Sequence, residues 1–137
     1  MYMLDTNICI FAMKKQPKEL VAKLVSQPAG ILCISSVTYG ELCCGVEKSQ
    51  AKAKNRLALQ LLLAPFIIAE FDSKAAEEYG KLRAYLEKQG TPIGPLDTQI
   101  AAHAKSLSMT IVTNNIREFI RVPGIRIEDW TTLSAFD

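Results

Sequence analysis

The chain has 137 residues, so we expect one compact domain over residues 1–137. Its 49% apolar and 22% charged residues are typical of a globular protein and exclude a disordered chain, while a net charge of +2 permits an anionic partner without requiring one. The sequence lacks a signal peptide and an apolar run of the roughly 20 residues that span a membrane, so we expect a cytoplasmic protein with no membrane partner.

Short apolar strands alternate with helices along the chain. The pattern predicts strands at residues 2–4, 31–34, 66–71, 110–113 and 125–127, and helices at 6–13, 17–26, 37–47, 51–64, 72–89, 97–107 and 115–120. Thr6 or Asn7 would cap the first helix, and Ser35 or Ser36 the third. The alternation indicates a mostly parallel sheet of about five strands, covered on both faces. Ligands of such sheets bind beyond the carboxyl ends of the strands.

Three acidic residues are isolated in apolar sequence. Asp5 is the only charged residue in 1–13, Glu41 the only one in 24–46, and Asp97 the only one in 89–104. Acidic side chains are rarely left in apolar surroundings unless they are paired or bind a metal, because removing an ion from water is costly. These three acids are therefore the first candidates for a site.

Ordinary structural roles compete with this interpretation. Asp5 and Asp97 both precede predicted helices and could be N-caps. Glu41 falls in the middle of its helix and shares a face with small or apolar residues, so it either extends to the edge of that face or meets a cation. His103 points about 240° away from Asp97 around their helix, at 100° per residue, so we expect it to serve packing or the surface rather than the site.

The available ligands favour a hard cation. The chain has one histidine and no C-x-x-C pair among its four cysteines, which argues against zinc. Three carboxylates from separate elements instead suit Mg²⁺ or Mn²⁺, which commonly bind substrate phosphates as well. The chemistry predicted is phosphoryl transfer or phosphodiester hydrolysis. Clusters of lysine and arginine near residues 14–23, 48–56 and 117–126 are either solvated faces or phosphate contacts.

Four motifs in this order resemble the PIN-domain ribonuclease toxins of the VapC family, found in bacterial toxin-antitoxin pairs. They are Met3-Leu4-Asp5-Thr6-Asn7; Ser35-Ser36-Val37-Thr38-Tyr39-Gly40-Glu41-Leu42; Pro92-Ile93-Gly94-Pro95-Leu96-Asp97; and Val112-Thr113-Asn114-Asn115 leading into Arg117-Glu118-Phe119 and Glu128-Asp129-Trp130. The match spans essentially the whole chain. It implies a PIN-like three-layer α/β/α sandwich with a parallel sheet.

The resemblance also implies a function and a set of site residues. It implies an Mg²⁺- or Mn²⁺-dependent endoribonuclease that cuts structured RNA, commonly tRNA or rRNA, and arrests growth by blocking translation. Asp5, Glu41 and Asp97 would hold the metal. Many relatives have a further acid where this chain has Asn115, so Asn115 is a catalytic candidate and Glu118 a substitute for that acid. Thr6, Asn7 and Thr113 would orient carboxylates and waters, although helix capping is an equal alternative for Thr6.

The family implies partners as well. We expect a homodimer and a cognate VapB-type antitoxin that covers the acidic groove, with DNA contacted only through the antitoxin. Because Asn115 adds no charge, the alternative is a catalytically silent PIN-like module that binds RNA or docks a partner. A phosphatase with Asp5 as its nucleophile is a weaker alternative, because Asn7 lies where a second acid would be expected to help.

Overall fold

The computed structural model describes residues 1–132, which form five strands and seven helices. The strands are β1 (Tyr2–Leu4), β2 (Leu32–Ser35), β3 (Ile67–Ala69), β4 (Thr110–Val112) and β5 (Ile127–Glu128). The helices are α1 (Thr6–Met13), α2 (Lys18–Val25), α3 (Ser36–Lys48), α4 (Lys52–Leu63), α5 (Ser73–Lys88), α6 (Pro95–Ser106) and α7 (Ile116–Phe119). No helix within these residues is both long and apolar enough to cross a bilayer.

The strands form one parallel sheet in the order β3-β2-β1-β4-β5. Successive residues of a strand point to opposite faces, so Leu4, Ile34 and Val112 enter one core and Met3, Cys33 and Ile111 the other. The first core also contains apolar residues of α1 to α4, and the second contains those of α5, α6 and α7. The predicted three-layer α/β/α sandwich is confirmed.

The predicted boundaries differ from the structure at three elements. β3 is an edge strand of three residues, and its Ile67 and Ile68 are 44% and 38% exposed rather than buried. β5 begins at Ile127, because this residue pairs with Ile111 of β4. Helix α6 begins at Pro95, two residues before Asp97, because a proline fits the first position of a helix.

Two predicted helix caps can be compared with the structure. Ser35 is the N-cap of α3, as one of the two predicted alternatives, and its hydroxyl accepts a hydrogen bond from the Val37 amide at 3.1 Å. For α1 the cap is Asp5, which was also named as a possible N-cap, so the prediction of Thr6 or Asn7 in that role is wrong. Asp5, the first residue beyond β1, has the extended backbone of an N-cap, and Thr6 is already the first residue of the helix.

Candidate active site

Asp5 follows the central strand of the sheet and is held by two hydrogen bonds. One carboxylate oxygen accepts the amide of Ile8 at 2.9 Å, and the other accepts the hydroxyl of Thr113, which follows β4. The side chain is 3% exposed. Burial raises the pKa of Asp5, these two hydrogen bonds lower it, and the charges of Glu41 and Asp129 raise it further. Asp5 therefore caps α1 and also points a fixed carboxylate at neighbouring acids.

Glu41 reaches the same region from the middle of α3. Its Oε1 accepts the hydroxyl of Thr6 at 2.7 Å, and the Thr6 hydroxyl lies 3.3 Å from that of Thr38. Thr6 thus contacts an acid of the candidate site instead of capping α1. The contact joins the first residue of α1 to α3, so these two helices hold Asp5 and Glu41 on the same side of the sheet edge.

Asp97 lies in the first turn of α6, where Gly94 is the N-cap, so the alternative that Asp97 caps this helix is wrong. Its surroundings are acidic. The pKa of Asp97 is raised to about 7, mainly by burial, next by a hydrogen bond to the Glu118 side chain, and further by the charges of Asp5, Glu118 and Glu41. With this raised pKa, Asp97 keeps a proton at pH values where an ordinary aspartate has lost it. These pKa effects connect all four acids electrostatically.

Asn115 and Glu118 act as a pair beside Asp97. The Asn115 side-chain amide donates to Glu118 Oε2 at 3.1 Å, and its backbone amide donates to Thr113 Oγ1 at 2.9 Å. Glu118 is half-buried, one turn further along α7. Glu118 therefore supplies a fourth carboxylate in addition to those of Asp5, Glu41 and Asp97, and Asn115 orients the Glu118 side chain.

A cavity of about 430 Å³ opens between these elements. It is lined by Asp5, Thr6, Asn7, Ile10, Glu41, Gly94, Pro95, Leu96 and Asp97. Three predicted acids and two predicted supporting residues therefore share one cavity. Asn115 and Glu118 are outside this lining and reach it through Asp97, while Thr113 is fully buried behind Asp5.

The donor atoms around this cavity suit a hard divalent cation. They are carboxylate, hydroxyl and amide oxygens, with no thiolate or imidazole in the lining. Among residues 1–132, no three His, Cys, Asp or Glu side chains already converge in a metal-holding geometry. Mg²⁺ usually keeps several waters and takes only one or two carboxylates directly, so carboxylates spread around a cavity of this size fit a hydrated ion.

Two residues of the site were not predicted from the sequence, and one residue was correctly predicted to lie outside it. Thr38, next to the Thr6 hydroxyl, had no signal beyond lying one turn before Glu41. Asp129, whose charge raises the pKa of Asp5, follows β5 as Asp5 follows β1, but the strand was predicted to end at Ile127. His103 is 1% exposed and packs in the core, which confirms its predicted separation from the acids.

The chain resembles known proteins over nearly its whole length. The family model of the PIN domain matches residues 2–125. The chain is 45% identical over 129 residues to the tRNA(fMet)-specific endonuclease VapC of Salmonella typhimurium, covering 94% of this chain and 97% of that protein. It is 43% identical to ribonuclease VapC2 of Haemophilus influenzae, with the same coverage.

Solved structures give the same result. The DNA-bound VapBC complex of Salmonella typhimurium contains a chain that superposes with a TM-score of 0.89 at 44% identity, covering 94% of this chain and 97% of that one. A chain of VapBC2 from Rickettsia felis, bound to a DNA fragment from its promoter, gives a TM-score of 0.87 at 39% identity, covering 94% and 98%. The chain therefore belongs to the PIN domain family and, within it, to the VapC ribonucleases.

Proposed function

We propose that this protein is the toxin of a VapBC-type pair, a metal-dependent endoribonuclease that hydrolyses phosphodiester bonds in structured RNA and arrests growth by blocking translation. The observation that supports this most directly is the cavity at the carboxyl edge of a parallel sheet, which is lined by Asp5, Glu41 and Asp97. The relatives named as VapC ribonucleases support the reaction class.

The chain's own residues would divide the work. Asp5, Glu41 and Asp97 would hold Mg²⁺ or Mn²⁺, which when bound lowers the pKa of a water and stabilises charge on the leaving oxygen. Thr113 and the Ile8 amide fix the Asp5 carboxylate, and Thr6 fixes that of Glu41. Holding these groups in place before substrate arrives avoids reorganisation during the reaction.

One further residue of the cavity would contact the substrate. Asn7 is exposed in the cavity lining, so its amide can donate a hydrogen bond to a phosphate oxygen of bound RNA. Its raised pKa lets Asp97 keep a proton near neutral pH while no cation is present, and binding of a divalent ion would release that proton. Metal affinity should therefore rise with pH through neutrality.

The test is cleavage of tRNA by purified protein without antitoxin. tRNA(fMet) is the first substrate to try, because relatives at 45% and 46% identity are named for that specificity. We expect cleavage with Mg²⁺ or Mn²⁺ and none with EDTA or in Asp97→Asn, while Glu77→Gln, an exposed acid on α5, remains active. Full activity in EDTA would contradict metal dependence. Metal binding without cleavage of any cellular RNA would favour the catalytically silent module.

Growth provides a second test. Induced wild-type protein should stop growth, and Glu41→Gln should be much less toxic because it lacks one of the three carboxylates. Equal toxicity of the wild-type protein and Glu41→Gln would argue for another site.

We further propose a homodimer in the cytoplasm and a VapB-type antitoxin that covers the acidic groove and brings the complex to DNA. Solved complexes of related VapC chains with their antitoxins and DNA support this partner.

A further inference from the structure

The single histidine of the chain is buried where two acid-bearing helices meet. His103 is 1% exposed, and its Nδ1 lies 2.8 Å from the hydroxyl oxygen of Ser35. The ring of Phe71 packs against it edge to face, with the two centroids 5.3 Å apart. A buried imidazole is costly unless its nitrogens are hydrogen-bonded, so the Ser35 contact is a specific one.

One arrangement of the hydrogen atoms satisfies the groups at this contact. Ser35 Oγ accepts the Val37 amide at 3.1 Å, and its own proton is then free to be donated to His103 Nδ1. The remaining ring proton is on Nε2, and the backbone carbonyl of Glu70 is a partner of the ring. Burial lowers the pKa of His103, so the ring is neutral and can accept at Nδ1.

The contact lies at the same distance along two helices from two acids of the site. Ser35 is the N-cap of α3, and Glu41 follows it by six residues; His103 follows Asp97 by six residues on α6. Six residues correspond to about 9 Å of helix. The next residue, Ser36, accepts the amide of Phe71 at 3.0 Å. The start of α3 is therefore attached both to α6 and to the segment that follows β3.

We propose that His103 is a positioning residue, whose hydrogen bond to Ser35 fixes where α3 meets α6 and thereby the separation of the Glu41 and Asp97 carboxylates. The inference rests on the proposed function, in which these carboxylates hold one divalent ion. An apolar side chain of similar size would fill the same space without fixing a direction. Sites of this kind tolerate displacements of only about 0.5 Å, so loss of direction should be felt at the metal.

The test is calorimetric titration of the whole purified chain with Mn²⁺, combined with RNA cleavage kinetics. His103→Asn places an acceptor oxygen near the position of Nδ1 and should bind Mn²⁺ nearly as wild type does. His103→Leu has no acceptor and should bind Mn²⁺ about tenfold more weakly, with a lower kcat and an unchanged KM for RNA. Ile111→Val trims the core on the same face of the sheet but keeps the hydrogen bond between Ser35 and His103, so it should leave Mn²⁺ affinity unchanged.

The outcomes separate this inference from the proposed function. Wild-type Mn²⁺ affinity in His103→Leu, or an equal loss in Ile111→Val, would overturn the positioning role while leaving the nuclease intact. If His103→Leu does not fold, His103→Gln replaces it, because the side-chain oxygen of glutamine extends beyond the position of Nδ1. A Mn²⁺ affinity of His103→Gln equal to that of His103→Asn would then overturn the positioning role. A wild-type protein that neither binds Mn²⁺ nor cleaves RNA would refute the proposed function itself.

Discussion

Asp5 and Asp97 line the same cavity but are held in opposite ways. Asp5 is almost fully buried, and neutral donors, the Ile8 amide and the Thr113 hydroxyl, occupy both of its oxygens. Asp97 is half-buried, and its hydrogen-bond partner is another acid, Glu118. The first side chain is fixed whether or not a cation is present. The second is stabilised by a proton in the metal-free protein, and a cation would replace that proton.

The largest effect should come from Asp5, because its surroundings cannot adjust. Asp5→Glu should lower kcat for RNA cleavage about 100-fold or more, since the longer side chain cannot keep both hydrogen bonds. Asp97→Glu should lose less, because its partner Glu118 is half-buried on the short helix α7 and can move. Single-turnover cleavage assays measure both. Equal losses would show that the two acids are held with the same rigidity.

Thr113 tests the neutral support of Asp5 directly. Thr113→Val keeps the shape of the side chain but removes the donor to a buried carboxylate and the acceptor for the Asn115 amide. We expect a loss of about 2 kcal/mol in the free energy of unfolding and about a tenfold loss of activity. Urea unfolding checks the first value. The control is Thr110→Val in β4, the strand that Thr113 follows, and a similar loss there would mean that the Asp5 contact contributes little.

The contact between Asp97 and Glu118 should make the metal-free protein less stable as the pH rises. The folded-state pKa of Asp97, about 7, is above its unfolded value of 3.8, so between these values the folded state binds more protons. This contribution to stability is complete below pH 4 and is lost as the pH rises through 7.

Asp97→Asn removes this titration. In EDTA its Tm should exceed that of wild type by about 3 °C at pH 8, corresponding to about 1 kcal/mol after allowance for solvent screening, with little difference at pH 5. Thermal scans at both pH values measure this. A difference that is constant with pH would mean that Asp97 titrates normally.

The smallest effect is expected at an exposed ion pair that does not line the cavity. Glu47 forms an ion pair with Arg56 at 2.6 Å, and the two side chains are 59% and 50% exposed. Water and salt screen such pairs, so Arg56→Met should change the free energy of unfolding by less than about 0.5 kcal/mol. Urea unfolding at low and high salt tests this. A larger, salt-sensitive loss would show that the lysine- and arginine-rich segment of α4 stabilises the fold.

Much of the site was accessible from sequence because its signals are local. Asp5 directly follows an apolar strand, and carboxyl ends of parallel strands meet at one edge of a sheet. Glu41 was identified by its position on a small and apolar helix face. The roles of Asn115 and Glu118 were left open, because which of two neighbouring side chains faces Asp97 depends on how α7 packs against α6.

The amino-acid sequence by itself determined the alternation of strands and helices, the fold class and the three acids that line the cavity, because hydrophobic period and isolated charge are properties of short segments. Only the tertiary structure decided the strand order, the exposure of β3 and the contact of Asp5 with Thr113, 108 residues away. It also decided that Asp97 meets a fourth acid in Glu118. These features depend on contacts between distant segments, which no local pattern specifies.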